Sequence, residues 1–219
     1  MPESIGHGRH RGGMGNRLDF QVFQPETIVT ARGMERLRFH PWGVFGGRPG
    51  ARGQAILNPG TPRERNIGKI DILRLEAGDI LSIRTPGGGG YGDPLERDPT
   101  GVREDILNQV ITTQVATEVY GVVLRDGEVD TAATQAQRAV LAVYQEPGIF
   151  AFGPNRKEYE RQWDAIASKA LLHLLMNLAP SVRSYAKSLV HRQLADLAVV
   201  RLVDVEHAWA ELQSQIGIT

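Results

Sequence analysis

The segment Pro86–Pro94, with the sequence PGGGGYGDP, has the most unusual chemistry in the chain. Its candidate site residues are four glycines, an aromatic ring and a carboxylate: Gly87, Gly88, Gly89, Gly90, Tyr91 and Asp93. Backbone N–H groups without side chains around them can approach a phosphate or another anion closely. The segment matches neither a P-loop nor the GxGxxG turn of dinucleotide-binding proteins. A tight crossover, where another chain segment packs against the glycines, is the alternative interpretation.

A second glycine-rich segment, Gly8–Arg17, combines cations with flexible backbone in the sequence GRHRGGMGNR. Its candidate site residues are His10, Arg11, Gly12, Gly13 and Gly15, with Arg17 as a further cation. An arginine fork can hold a carboxylate or a phosphate through two parallel hydrogen bonds. The alternative is a solvated segment near a terminus, where chains are commonly loose.

A third segment places Trp42 and Phe45 among glycines, in the sequence HPWGVFGGRPG. An aromatic side chain in such a loop can cover a ligand, or it can fill a core beneath the loop. Residues 1–65 contain ten arginines and five acidic residues. This local positive charge could steer an anionic substrate or an acidic partner, although a solvated face is the simpler interpretation.

Composition excludes several functional classes. The formal net charge is zero, so there is no electrostatic case for nucleic acid or an anionic membrane as a partner. The absence of cysteine excludes disulfides and a cysteine nucleophile. The histidines have no metal-ligand spacing, no Ser-His-Asp set can be argued, and no catalytic residue is identified. The N-terminus lacks the apolar stretch of a signal peptide, which predicts a cytoplasmic protein.

The first 95 or so residues predict a β-rich, loop-heavy unit, because 20 of the 25 glycines lie at or before Gly101. Apolar alternation predicts strands over 18–23 and 27–31. Two further strands, in KIDI and ILSIR, are expected to pair as a hairpin around a turn at Glu76–Asp79. The pattern does not distinguish a barrel from a sandwich.

Helix signals dominate after Pro94. Asp98 and Pro99 predict a helix start, a threonine at 112 or 113 caps a second helix to Val119, and a third runs from Thr131 to about Tyr144. The dipeptide Asp126-Gly127 predicts a hairpin between the second and third helices.

A loop over 146–155 separates these elements from a predicted helical tail, with helices at about 156–178, 181–200 and 204–215. Their apolar stripes are expected to pack against the first domain or a partner, as a docking element. The predicted fold is α+β: a β-rich glycine-loop domain followed by helices over 1–145, and a C-terminal helical extension over 146–219.

The order of these motifs resembles the C-terminal region of the hydantoinase B/oxoprolinase family. The resemblance runs through RGGMGNR, PWGVFGG and LEAGDILSIRTPGGGGYGDPLERDP to a helix ending in YGVV, and it covers about residues 8–140. Members pair with, or are fused to, a hydantoinase A-type component that binds ATP. They hydrolyse cyclic amides such as hydantoins or 5-oxoproline, and related proteins carboxylate acetone or acetophenone. The resemblance implies that ATP phosphorylates an unreactive carbonyl or enolate oxygen.

The resemblance also implies partners. A usual B component has a larger N-terminal portion, which would carry the metal-binding residues, so this chain is expected to bind no cofactor alone. ATP, Mg and, in some members, a transition metal belong to the whole complex. The expected partners are an A-type ATP-binding subunit and a chain supplying the N-terminal B portion, with neither nucleic acid nor membrane. The chain is thus interpreted as a split B component, with a non-catalytic assembly module as the rival.

Particular residues acquire expected roles from this resemblance. The Gly87–Gly90 and Arg11–Gly15 loops would shape the wall of an active site or an intersubunit seam. Arg11 would hold an anionic group, and Asp93 would fix its loop by accepting backbone N–H bonds.

Overall fold

The computed structural model describes residues 1–70, 72–143 and 148–216. These form a mixed α+β structure, as the sequence predicts. The chain divides into two compact units, Met1–Asn155 and Arg156–Thr219, called here the N-terminal and C-terminal units. The predicted domain boundary between residues 145 and 146 lies outside the described residues and stays a prediction.

Ten strands and seven α-helices are assigned within the described ranges. The strands are β1 (Arg17–Gln21), β2 (Thr27–Thr30), β3 (Gly43–Val44), β4 (Gln54–Leu57), β5 (Arg65–Asn66), β6 (Ile72–Leu75), β7 (Ile80–Arg84), β8 (Leu124–Arg125), β9 (Glu128–Val129) and β10 (Phe150–Ala151). The helices are α1 (Pro99–Leu107), α2 (Thr113–Val119), α3 (Thr131–Ala142), α4 (Pro154–Gln162), α5 (Ala165–Met176), α6 (Pro180–Gln193) and α7 (Leu202–Ile216).

The β-rich part is a small open sandwich. Four antiparallel strands form one sheet in the order β1-β7-β4-β5, and β2 pairs with β6 in a second sheet. Apolar side chains from both sheets meet in one cluster, which contains Val22, Leu57, Leu75 and Leu81. Since β1 and β5 end the larger sheet, this part is a sandwich rather than a closed barrel.

The predicted hairpin between β6 and β7 is wrong, because β6 pairs with β2 while β7 pairs with β1 and β4. The turn itself forms, with the Asp79 N–H donating to the Glu76 carbonyl over 3.1 Å. The buried Asp79 carboxylate also accepts a hydrogen bond from Asn58, at the end of β4, over 2.9 Å. Asn58 in turn accepts from the Ile80 N–H over 2.9 Å. These bonds hold the start of β7 beside β4, so the turn carries the chain between the two layers.

The helices after residue 94 follow the sequence signals closely. Asp98, Thr112 and Asp130 cap α1, α2 and α3 by accepting backbone N–H bonds. The hairpin at Asp126-Gly127 is confirmed as the β8–β9 pair. These elements share a core with the N-terminal segment through residues such as Ile5. The predicted end of the third helix, near Tyr144, lies outside the described residues.

The C-terminal unit has its own apolar core, whereas the sequence analysis expected its stripes to need the first domain or a partner. The buried residues come from the end of α4 through α7: Trp163, Ala167, Leu171, Leu175, Leu178, Ala186, Val190, Leu194, Val200, Val205, Ala208, Trp209 and Leu212. A fourth helical segment makes this possible. The stretch expected as one helix over 156–178 is broken at Trp163 and Asp164, where Asp164 caps α5 by accepting from the Ala167 N–H over 2.7 Å. Leu197, expected within the next helix, lies beyond the end of α6 and is exposed.

A fragment of residues 154–219 is therefore expected to fold alone. It should give a helical circular-dichroism spectrum and a cooperative thermal transition, because its core side chains pack against one another. Val190→Asp, which places a charge in that core, should abolish the transition. A wild-type fragment without helical signal would show that the C-terminal unit depends on contacts beyond itself.

Within the described ranges, the longest and most apolar helices fall short of what a membrane crossing requires.

Candidate functional site at the glycine core

The three glycine-rich segments found in the sequence converge in the N-terminal unit. Residues 4–16, 41–53 and 85–92 together form what is called here the glycine core. The first and third segments are joined by hydrogen bonds from the Gly6 N–H to the Gly88 carbonyl (2.7 Å) and from the Gly88 N–H to the Gly13 carbonyl (2.9 Å). The Gly90 N–H donates to the Arg48 carbonyl of the second segment over 2.9 Å. Each segment is thus held by its neighbours through backbone groups.

The approach between these backbones leaves no room for side chains. A β-carbon at Gly87 would overlap the carbonyl oxygen of Ser4, and one at Gly89 would overlap that of Trp42. The Gly90 position faces the His7 carbonyl in the same way. The glycines therefore serve the tight crossover that was one of the two interpretations of this segment.

The hydrogen-bond donors of this segment are largely committed inside the core. The N–H groups of Gly87, Gly88 and Gly90 all donate to backbone carbonyl groups, at 3.1, 2.9 and 2.9 Å. They are consequently not presented to an external phosphate in this structure. The Asp93 carboxylate accepts from the Leu95 N–H over 2.8 Å and caps a short 3-10 helix, Pro94–Glu96, in the loop-fixing role expected of it.

The outer face of the glycine core carries exposed aromatic side chains. His10 and Tyr91 form a bridge in which each N–H donates to the other's carbonyl over 2.9 Å. The Phe45 ring meets the Tyr91 ring edge to face, with centroids 5.6 Å apart. Phe45 is 58% exposed and Tyr91 is 52% exposed. Aromatic side chains left in water on a rigid backbone are typical of interaction sites.

Phe45 is also held in an unfavourable backbone conformation. Its φ of 50° is followed by a φ of 91° at Gly46, and the Gly47 N–H donates to the Val44 carbonyl over 3.1 Å. This is the pattern of a two-residue turn with both central φ angles positive. A bulky residue in the left-handed region costs about 1–2 kcal/mol, and such strain clusters at functional sites. Phe45 thus does not fill a core under its loop.

A buried carboxylate on α1 joins two arginines. Asp105 of α1 is 4% exposed. Its two oxygens accept from Arg11 Nε and Arg97 Nη2, each over 2.8 Å. The cluster therefore carries one net positive charge, and it fixes the Arg11 loop to α1. Arg11 was expected to hold an anionic group, and the anion that it contacts in this structure is Asp105.

A buried histidine–tyrosine pair lies in the same region. His7 Nδ1 is 3.1 Å from the hydroxyl oxygen of Tyr120, whose residue is fully buried. Burial raises the pKa of Tyr120 to about 12, so its hydroxyl stays protonated at neutral pH. Burial also lowers the pKa of His7, and the Arg48 guanidinium adds to this effect while Glu3 opposes it. His7 is therefore neutral near pH 7.

The lowered pKa of His7 predicts a loss of stability in acid. The folded-state pKa of His7 lies below the unfolded value of about 6.5. Above about pH 6.5, neutral His7 therefore makes its full contribution to the free energy of unfolding. This contribution is lost as the pH falls from about 6.5 toward the folded-state pKa, because the unfolded chain then binds a proton that the folded chain does not. His7→Gln should flatten this dependence, whose slope can approach about 1.4 kcal/mol per pH unit for one proton. Urea unfolding between about pH 7.5 and about pH 5.5 measures it. Equal slopes for both proteins would contradict the assignment.

The remaining predicted site residues are either packed closely against other backbone or exposed. Gly12 and Gly15 lie within the glycine core, where β-carbons would overlap the Gly88 and Thr85 carbonyl oxygens. Gly13 is exposed and has open space around it. Arg17 lies on β1 and pairs with Asp19 over 2.8 Å.

The sequence analysis did not identify Arg97, Asp105, His7 or Tyr120. Asp105 is 94 residues from Arg11 in the chain, and His7 is 113 residues from Tyr120. A single sequence carries no local signal for pairs at such separations.

The described residues do not assemble a metal site. Across 1–70, 72–143 and 148–216, no three histidine, aspartate or glutamate side chains are grouped as ligands would be. The donor set thus does not fit the transition metal that the family resemblance implies for the whole complex.

Comparison with known proteins confirms the family resemblance. Residues 1–94, which include the glycine core, match the Hydantoinase B/oxoprolinase family. The chain is similar to caprolactamase subunit beta of Pseudomonas jessenii, with 34% identity over 64% of this chain and 25% of the relative. It is also similar to the acetophenone carboxylase delta subunit of Aromatoleum aromaticum, with 31% identity over 55% of this chain and 22% of the relative.

A solved structure shows the same coverage. The crystal structure of the ATP-dependent caprolactamase from Pseudomonas jessenii aligns with 64% of this chain and 25% of its own, at 30% identity and a TM-score of 0.47. The chain thus spans a quarter or less of the length of these relatives.

Proposed function

We propose that this chain is a subunit of an ATP-dependent enzyme that hydrolyses a cyclic amide or carboxylates a ketone. Its partners would be a hydantoinase A-type ATP-binding subunit and the polypeptide that carries the remaining hydantoinase B sequence. ATP and Mg would bind elsewhere in this complex, as would any transition metal, and ATP-dependent chemistry would place it in the cytoplasm. The observation that carries the proposal is the glycine core, a rigid structure lying within the residues that match the family.

The contribution of the chain would be to complete the site with a preorganised wall. The backbone hydrogen bonds of the glycine core fix the positions of His10 and Tyr91. The Arg11–Asp105–Arg97 cluster places a net positive charge next to His10 in the chain. A positive group held in place stabilises negative charge that develops on an oxygen during phosphorylation or ring opening, without reorganising at that moment. This arrangement suits the phosphoryl chemistry that the family resemblance implies.

A non-catalytic assembly module is the second candidate. The exposed pair of Phe45 and Tyr91 favours it, because aromatic side chains are enriched at protein interfaces and often dominate their binding energy. In this alternative, the glycine core would present an interface, and the reacting groups would all belong to partners.

Turnover of a reconstituted complex distinguishes the two candidates. The chain is combined with its purified partners, and ATP-dependent product formation is followed together with assembly on a sizing column. Under the site-completing proposal, Arg11→Ala lowers kcat at least about tenfold while the complex still assembles. Arg125→Ala, which removes a 77% exposed side chain paired with Asp130, is the matched control and should be neutral. Unchanged turnover with Arg11→Ala would favour the assembly module.

A further inference from the structure

Strand β1 ends the larger sheet with a free edge. Of the strands described, it pairs with β7 alone, and all five of its residues are exposed. Hydrogen bonds from the Thr85 N–H to the Asn16 carbonyl (2.8 Å) and from the Val22 N–H to the Asp79 carbonyl (2.9 Å) set the phase of this ladder. In an antiparallel pair, the backbone groups of alternate residues point to opposite sides. The N–H and C=O groups of the odd-numbered residues, Arg17, Asp19 and Gln21, therefore point away from β7.

An apolar groove of about 660 Å³ runs beside this edge, between β1 and β2. Its lining includes Phe20, Phe23, Val29, Met34, Leu75 and Ile83. Phe20 is 53% exposed and Phe23 is 76% exposed, and the same groove is lined by Leu75 and Leu81 of the sandwich core. The two sheets thus leave apolar surface uncovered at the same place where the backbone of β1 lacks a neighbouring strand.

We infer that an extended segment of the polypeptide carrying the remaining hydantoinase B sequence binds here, as an added strand along β1. An edge strand beside an apolar groove fits such a segment, because backbone bonds provide affinity and alternate side chains enter the groove. The groove and the edge lie within residues 1–94, which match the family. About three-quarters of the length of these relatives lies outside the portion that aligns with this chain. This inference rests on the proposed function, which supplies that polypeptide as a partner.

The first test places a charge in the groove. The probe is the polypeptide of hydantoinase B sequence that co-purifies with the wild-type chain, purified and titrated against each variant. Phe20→Asp should weaken its binding at least about a hundredfold, since an unpaired carboxylate would be buried. Ile28→Asp is the matched control: Ile28 is 52% exposed but lies outside the groove lining, so its variant should bind within about twofold of wild type.

The second test removes one outward N–H group. Gln21→Pro deletes the donor that would bond to the added strand, and it should weaken binding about fivefold or more. The ladder to β7 is kept because this N–H points away from it. Gln21→Ala also loses the side chain, which lines the groove, but retains the donor, so Gln21→Pro should bind at least about fivefold more weakly than Gln21→Ala. Circular-dichroism spectra and melting curves of all four variants confirm that they remain folded.

The occupant is identified by cross-linking. A photoreactive phenylalanine analogue at position 20 should cross-link to the polypeptide of hydantoinase B sequence. Cross-links to the A-type subunit or to a second copy of this chain would overturn the inference. If Phe20→Asp and Gln21→Pro both bound with wild-type affinity, the inference of an added strand would also be overturned. The proposed function would not be affected by that result. The proposed function itself fails if no polypeptide of hydantoinase B sequence co-purifies at all.

Discussion

Replacing Gly87 with alanine is expected to lower the free energy of unfolding of the N-terminal unit by about 3 kcal/mol or more. The new β-carbon would overlap the carbonyl oxygen of Ser4, a backbone atom that cannot rotate away. The Gly87 N–H also donates to the Ala51 carbonyl over 3.1 Å, so moving this segment would break a buried hydrogen bond. Chemical denaturation, monitored by fluorescence, measures this loss of stability. In the extreme case the variant would not fold when it is expressed.

Gly13→Ala is the matched control for this experiment. Gly13 belongs to the same glycine core, but its β-carbon would meet no atom within 4 Å. Its substitution should change stability by less than about 1 kcal/mol, and the reduced freedom of the unfolded chain could make the change favourable. If Gly87→Ala were as stable as Gly13→Ala, the glycines would not serve close backbone packing. The result would then favour the other interpretation, in which the backbone N–H groups of Gly87–Gly90 bind an anion.

The second large effect is expected from Asp105→Ala. This change would leave the guanidinium groups of Arg11 and Arg97 close together without their shared carboxylate. Breaking a buried ion pair from one side costs about 3–5 kcal/mol. The Arg11 side chain is 30% exposed, and water can reach it, so the lower end of this range applies. Urea unfolding of the purified chain measures the change.

An exposed ion pair provides the comparison. Glu128 pairs with Arg103, but the glutamate side chain is 74% exposed. Glu128→Gln should therefore cost no more than about 0.5 kcal/mol. Similar losses for Asp105→Ala and Glu128→Gln would show that the Arg11–Asp105–Arg97 cluster does not hold the Arg11 loop to α1.

The parts of the fold that the sequence predicted correctly depend on local chemistry. Asp98, Thr112 and Asp130 predicted three helix starts correctly, because a capping side chain accepts a hydrogen bond from a backbone N–H at most three residues further along the chain. The Asp126-Gly127 hairpin was equally local. The β6–β7 hairpin was wrong although its turn formed, because Asn58, more than 20 residues away, decides where the strand after the turn goes.

The candidate site was predicted in its parts but not as an assembly. The three glycine-rich motifs were each identified, yet the sequence could not show that the Gly6 N–H reaches the Gly88 carbonyl. Nor could it show that Asp105 pairs with Arg11, since ion-pair partners distant in the chain leave no periodic trace. The tail was misjudged for a related reason: one capping residue, Asp164, turns an expected long helix into two and lets the tail enclose a core.

The central claim, that the chain works as a subunit of an ATP-dependent complex, is tested most directly by native purification. The tagged chain is recovered from its source cells, and the proteins that accompany it are identified by mass spectrometry. The account predicts an ATP-binding A-type subunit and a polypeptide carrying the remaining hydantoinase B sequence, in fixed ratio and retained through a sizing column. Recovery of the folded chain alone, as a single species, would contradict it.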